Sequence, residues 1–206
     1  MYDLLGAYVL GAGAESWRKH HKYKGGKDVF RLLHALIYCK YQASLLLLRS
    51  MRITLLTMGR TDVPWVAEGL RMYTSRLVHY VQFAVRELPE LKGVGSLGHD
   101  AIKLREGEKL LRAVKPADTV VLLDERGEEF SSLEFAKRLQ RYLNAGRDIV
   151  FVVGGAYGFS PQVYERADAR ISLSRMTCSH QLVRTIFAEQ LYRAFTILGG
   201  EPYHNE

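Results

Sequence analysis

The pattern of apolar and polar positions changes character at residue 51. Beyond it, short apolar runs alternate with longer stretches of helical spacing. RITLLTM (52–58), VQFAVREL (81–88), DTVVLLD (118–124), DIVFVVGG (148–155) and ARISLS (169–174) have the length and side-chain character of strands. Between and after them, residues 62–80, 99–114, 131–146, 160–167 and 179–200 carry a helical period. The punctuation agrees. Asp62 is placed as an N-cap with Pro64 in the first turn, Lys115-Pro116 closes the second helix, and Ser131 or Ser132 opens the third, which ends at Gly146. Runs such as Val120–Leu123 and Ile149–Val153 do not alternate, as expected of strands buried on both faces. Strict alternation of strand and helix predicts an α/β fold, a parallel doubly wound sheet in α/β/α layers.

The first fifty residues read differently. WRKHHKYKGGKD is basic and broken by glycine, and VFRLLHALIYCKYQASLLLLR has helical spacing without a clear apolar face. The chain therefore divides into an extension, 1–50, and a domain, 51–206. Met51, directly ahead of the first strand, is the expected native start; the extension is read as accessory or as an upstream start that translation does not use. The charge divides in the same place. Residues 1–50 hold eight Lys and Arg against three Asp and Glu, whereas the rest hold 21 against 19, so most of the net +7 belongs to the extension. A nearly neutral body argues against tight, non-specific binding to a phosphate backbone and leaves selective RNA contact open. With 48% apolar and 25% charged residues the chain can build a core. Two cysteines, Cys39 and Cys178, make no disulfide framework and fit a reducing compartment. No C-x-x-C or H-E-x-x-H run points to a metal. No apolar run approaches the roughly 18 residues of a membrane span, and no basic residue precedes the apolar patch of the N-terminus as in a signal peptide.

Ligands of open α/β sheets sit outside the carboxyl ends of the strands. Three such ends carry candidate chemistry: Leu122 to Gly127, Gly154 to Ser160, and Leu173 to His180. The glycines of the second let backbone amides approach a ligand, or serve a plain turn. Without G-x-G-x-x-G or a P-loop lysine, a phosphate-gripping nucleotide site is disfavoured; an adenosine without phosphates, held by backbone groups, fits. His180 either packs the start of the last helix or faces the crevice, where it would suit proton handling. A hydrolase built on Ser160 or Ser174 with His180 and Asp124 lacks the G-x-S-x-G elbow. Glu189 and Arg193 are spaced for a helix salt bridge, and Cys178 reads as a small buried side chain.

MRITLLTMGR, VVLLDERGEEFSSLEFA, DIVFVVGGAYGFSP, ISLSRMTCSHQLVRTIFAEQLYRA and EPYHNE together resemble the RlmH family of the SPOUT superfamily, the pseudouridine methyltransferases of the large ribosomal subunit. The resemblance spans residues 51–206 and leaves 1–50 uncovered. It implies an α/β domain ending in a deep trefoil knot, an exception to unknotted connectivity. It also implies a cytoplasmic homodimer that binds S-adenosyl-L-methionine (SAM) and methylates N3 of a pseudouridine in helix 69 of 23S rRNA, on the assembled ribosome, without a metal or a membrane. Carried over by position, the SAM-binding places fall on Leu123, Gly154, Leu173, Ser174, Arg175, Met176, Thr177 and Cys178.

A methyl donor of this kind brings its own electrophile, so the enzyme's task is orientation and removal of the N3 proton. His180 with Tyr203 and His204 of the tail are the expected polar groups around the base, and Arg184 or Arg193 the expected holder of phosphate or uracil-like carbonyls. The chain departs from the family at Cys178-Ser179, where a large apolar residue and proline are usual. Loss of the proline frees φ and restores an N–H, which predicts a looser loop. That departure also keeps open a non-catalytic ribosome-binding or assembly protein that retains the fold.

Overall fold

The computed structural model describes residues 51–93, 95 and 97–203; the extension read over 1–50 and His204 lie outside the described residues. The strands are β1 (Arg52–Met58), β2 (Gln82–Leu88), β3 (Thr119–Glu129), β4 (Ile149–Val153) and β5 (Ala169–Ser172). The helices are α1 (Pro64–Leu77), α2 (His99–Ala113), α3 (Ser132–Asn144), α4 (Pro161–Arg166) and α5 (Leu182–Gly199). The strands pair in parallel in the order β2-β1-β4-β3-β5. The expected doubly wound α/β sheet is present.

Alternation along each strand divides the core between two faces. Ile53, Leu55, Val121, Phe151 and Val153 point to one side, against Leu70 of α1, Leu139 of α3 and Phe187 and Leu191 of α5. Leu56, Met58, Val120, Leu122, Val150 and Val152 point to the other, against Leu110 of α2 and Val163 of α4. All five residues of β4 are buried, which accounts for its uninterrupted apolar text. The end of α3 is as the sequence predicts: Ser131 Oγ accepts from the Glu134 N–H, and the Glu134 carboxylate accepts from the Ser131 N–H, a closed capping box.

Three local expectations are corrected. Asp62 does not cap α1; the N-cap is Val63, and Pro64 already holds the first helical position without needing a donor. The third strand does not stop at Asp124. Leu123 and Glu128 both stand opposite Ile171, so residues 124–127 leave the ladder as a wide bulge and the strand resumes beyond it. A Cβ on Gly127 would fall 2.6 Å from the Ile171 backbone nitrogen and carbonyl carbon, so the bulge closes only over a bare backbone. The fifth strand ends at Ser172, and the last helix begins at Leu182, leaving 173–181 as a long irregular connection.

Candidate functional site

β5 lies on the far side of β3 from β4, so the chain crosses over β3 between them. The carboxyl ends of β4, β3 and β5 are therefore neighbours, and the loops that leave them surround a cavity of about 780 Å³. This is within the range of small-molecule sites. The three stretches singled out from the sequence meet there. Leu123 and the bulge residues Asp124, Glu125 and Arg126 form one wall. Val153 and the glycine loop 154–159 form a second, and Leu173, Ser174 and Met176 to His180 a third.

The walls are tied to one another. Thr177 Oγ1 donates to the Glu125 carboxylate at 2.9 Å, and the Arg175 guanidinium pairs with Glu129 at 2.8 Å, holding the connection after β5 against the bulge. Tyr164 Oη donates to Asp124 at 2.5 Å. Burial, reinforced by that carboxylate, pushes the Tyr164 phenol up to about 12. Ser174 Oγ accepts from the Met176 N–H, an internal turn that shapes the third wall. At Gly154 a Cβ would stand 3.2 Å from the Phe159 ring, so only glycine presents bare peptide groups at this strand end without displacing the ring.

Of the eight expected donor-binding positions, seven line the cavity; the side chain of Arg175 turns outward, 87% exposed, to Glu129. Met176 is largely exposed at the rim. Cys178, expected to be buried, is half-buried and faces the cavity. His180 lines the cavity from a turn just ahead of α5, not from the helix itself. The Ser179 hydroxyl accepts from the Leu182 N–H at 3.1 Å and its carbonyl from the Val183 N–H, so the residue caps the turn that leads into α5. A serine triad does not form among these residues: Ser160 Oγ is buried without a hydrogen-bond partner, Ser174 Oγ serves Met176, and Asp124 takes its bonds from Tyr164 and the Arg126 N–H.

Arg184 stands elsewhere than expected. It is fully buried and does not line the cavity. Its guanidinium donates to the carbonyls of His180, Gly59 and Met58 and to Thr61 Oγ1 at 2.7–3.2 Å, with Glu87 at 3.7 Å. Burial lowers its pKa, and the carboxylates of Glu87, Asp62 and Glu90 oppose that shift. Each of its three nitrogens donates within the protein. Glu189 and Arg193 form the expected helix pair at 2.6 Å, and Tyr203 joins it, donating to Glu189 at 3.4 Å beneath the Arg193 guanidinium. Burial, with Tyr73 and Glu189 nearby, pushes the Tyr203 phenol up to about 12. Glu189 follows the cavity-lining Val183 by six residues, roughly 9 Å along the helix axis, and neither Arg193 nor Tyr203 lines the cavity.

One wall was missed from the sequence. Lys103 of α2 lines the cavity. The signal was Gly107, isolated inside a helical pattern, which marks close packing: a Cβ there would lie 3.0 Å from Ser160 Cβ, at the end of the glycine loop. Among the described residues no group of three or more His, Cys, Asp and Glu side chains is placed to hold a metal, and no helix is long and apolar enough to cross a membrane.

Fold and cavity define a parallel α/β protein with a ligand-sized cavity outside the carboxyl ends of its strands. Within that class the chain belongs to the SPOUT methyltransferases: the family model described as "Predicted SPOUT methyltransferase" matches residues 51–204. It is 50% identical to the ribosomal RNA large subunit methyltransferase H of Porphyromonas gingivalis, over 76% of this chain and 100% of that relative. The protein of the same name from Christiangramia forsetii is 49% identical, over 75% of this chain and 99% of its own length. That from Parabacteroides distasonis is 47% identical, over 76% and 100%.

Proposed function

We propose that this protein is a SAM-dependent methyltransferase of large-subunit ribosomal RNA, acting on N3 of a pseudouridine in helix 69 of the assembled ribosome in the cytoplasm. The observation that carries the reading is the convergence of Leu123, Gly154, Leu173, Ser174 and residues 176–178 on one cavity. Its chemistry fits the donor. Bare peptide groups at Gly154 and in the connection after β5 suit an adenine edge and ribose, the side chains of Leu123, Val153 and Leu173 suit the purine face, and no phosphate-binding lysine loop is present. When bound, the donor supplies an electrophilic methyl group.

The protein's part is to align that group with the target and to handle one proton. His180, which lines the cavity, is assigned to meet the base, and the turn capped by Ser179 carries it. Arg184 serves as a positioning residue, since it holds the His180 carbonyl against the end of β1. Tyr203 and His204 of the tail are assigned to the RNA. The trefoil knot of the family is assigned to the carboxyl-terminal part of this domain, where the connection after β5 is tied to β3 through Glu125 and Glu129. A homodimer accords with the half-buried aromatic surface that Tyr73 and Tyr192 form between α1 and α5, beside exposed Met72. A body with little net charge accords with recognition by the shape of the ribosome over free RNA.

Calorimetric titration with S-adenosylhomocysteine, and mapping of the modified base in ribosomes from a deletion strain, test the reading. Binding, and loss of one methylated pseudouridine in helix 69, are expected. No binding would leave a ribosome-binding protein without catalysis. Removal of residues 202–206, or His204→Ala, is expected to abolish methylation and leave donor binding intact; full activity in the truncated protein would refute the tail's role.

A further inference from the structure

The strand ends are assigned to an adenosine, but a methyl donor of this class also carries an amino acid, and one further wall of the cavity comes from α2. That helix is docked on the glycine loop along one face. The His99 ring stacks on Tyr157 with centroids 4.2 Å apart. Glu106 lies against Gly155, where a Cβ would stand 2.8 Å from its carboxyl carbon, and Gly107 lies against Ser160. Residues 99, 103, 106 and 107 share this face by helical spacing.

Lys103 sits between these contacts and lines the cavity. Its side chain is 31% exposed, and its ammonium is braced by Asp100 at 2.7 Å, whose own side chain is 90% exposed. Such a pair is weak and exchangeable. The lysine is thus held at the cavity on a docked helix, its ammonium resting on a partner it can surrender. The carboxylates of the opposite wall are otherwise engaged, Asp124 by Tyr164 and Glu125 by Thr177. Arg126 also lines the cavity, but from the exposed bulge, with none of this bracing.

We propose that Lys103 anchors the α-carboxylate of the methyl donor, so that α2 reads the amino-acid half of a ligand whose nucleoside half is read by the strand ends. The proposal rests on the donor reading above. It makes Lys103 a specificity residue: S-adenosylhomocysteine offers it a carboxylate for a charge-assisted hydrogen bond, and 5′-methylthioadenosine, which keeps the nucleoside and lacks the amino acid, does not.

The test is titration of the full chain with both compounds. Lys103→Met is expected to weaken S-adenosylhomocysteine about tenfold and to leave methylthioadenosine unchanged, which also shows that the variant folds. Lys103→Arg should keep most of the preference, and Arg126→Met should leave the ratio of the two affinities as it is. Equal weakening of both ligands by Lys103→Met, no effect on either, or a ratio that follows Arg126, overturns the proposal. If the unaltered protein binds neither compound, it is the donor reading that fails, and this one with it.

Discussion

Replacing Arg184 by methionine separates a scaffold from a catalyst. The side chain is fully buried, and three of its four hydrogen bonds go to main-chain carbonyls at the end of β1 and the start of α5. Methionine fills similar volume and offers no donor, so the carbonyls of Met58, Gly59 and His180 and the Glu87 carboxylate lose their common partner. Counting each charged hydrogen bond separately at about 1.5–3 kcal/mol overstates the loss, because the mutant no longer has to desolvate a guanidinium. Measured losses from breaking one side of a buried charge network are about 3–5 kcal/mol, the figure expected here. In a domain of this size that corresponds to a fall in Tm of roughly 10–15 °C. It is also a large part of a total stability of about 5–15 kcal/mol.

Urea unfolding followed by circular dichroism, in parallel with methyl transfer to ribosomes, reads both roles. Arg184→Met should lose stability by that amount and should lose donor affinity with it, because the turn bearing His180 is no longer held. Arg184→Lys keeps the charge but not the fork, and should fall between. A methionine variant within about 1 kcal/mol of the parent that has nonetheless lost methyl transfer would refute the scaffold role and return Arg184 to the substrate.

The sheet was legible because its signals are local. An unbroken apolar run such as Ile149–Val153 fits only a strand covered on both faces, and Ser131 with Glu134 spells a capping box in adjacent letters. The cavity was legible in part for a different reason. In a parallel sheet, loops at carboxyl ends come together by topology, so Leu123, Gly154 and Leu173 could be grouped before their distances were known. What stayed hidden depended on contacts across the sequence. Arg184 reads as a surface cation until Met58 and Gly59, more than 120 residues away, are seen to enclose it. The bulge at 124–127 has no local signature beyond Gly127, because the clash that demands glycine comes from Ile171. Lys103 was missed because a lysine on an amphipathic helix is ordinarily solvent-facing; only the docking of α2 on the glycine loop brings it to the cavity.

Three further outcomes follow from the same contacts. Gly127→Ala sets a methyl group against the Ile171 backbone, which cannot rotate away. It should cost about 1–3 kcal/mol in urea unfolding and weaken S-adenosylhomocysteine, whereas an unchanged midpoint would mean that β3 and β5 separate freely. Ser179→Ala removes the acceptor of the Leu182 N–H and should cost about 1 kcal/mol, measured in the same way; no loss would show that the turn needs no cap. Glu106→Gln probes the strut beneath the glycine loop through pH. Burial first, and the charge of Glu90 second, raise the Glu106 pKa above its ordinary value, while Lys109 opposes them. A carboxyl group whose pKa is higher folded than unfolded favours the native state only while protonated, and that contribution fades as pH rises through the folded value. Glutamine does not titrate. The variant should therefore gain on the parent in thermal stability as pH rises from about 4. The opposite trend would mean that the ionised carboxylate is met by donors from the glycine loop, and that burial does not govern it.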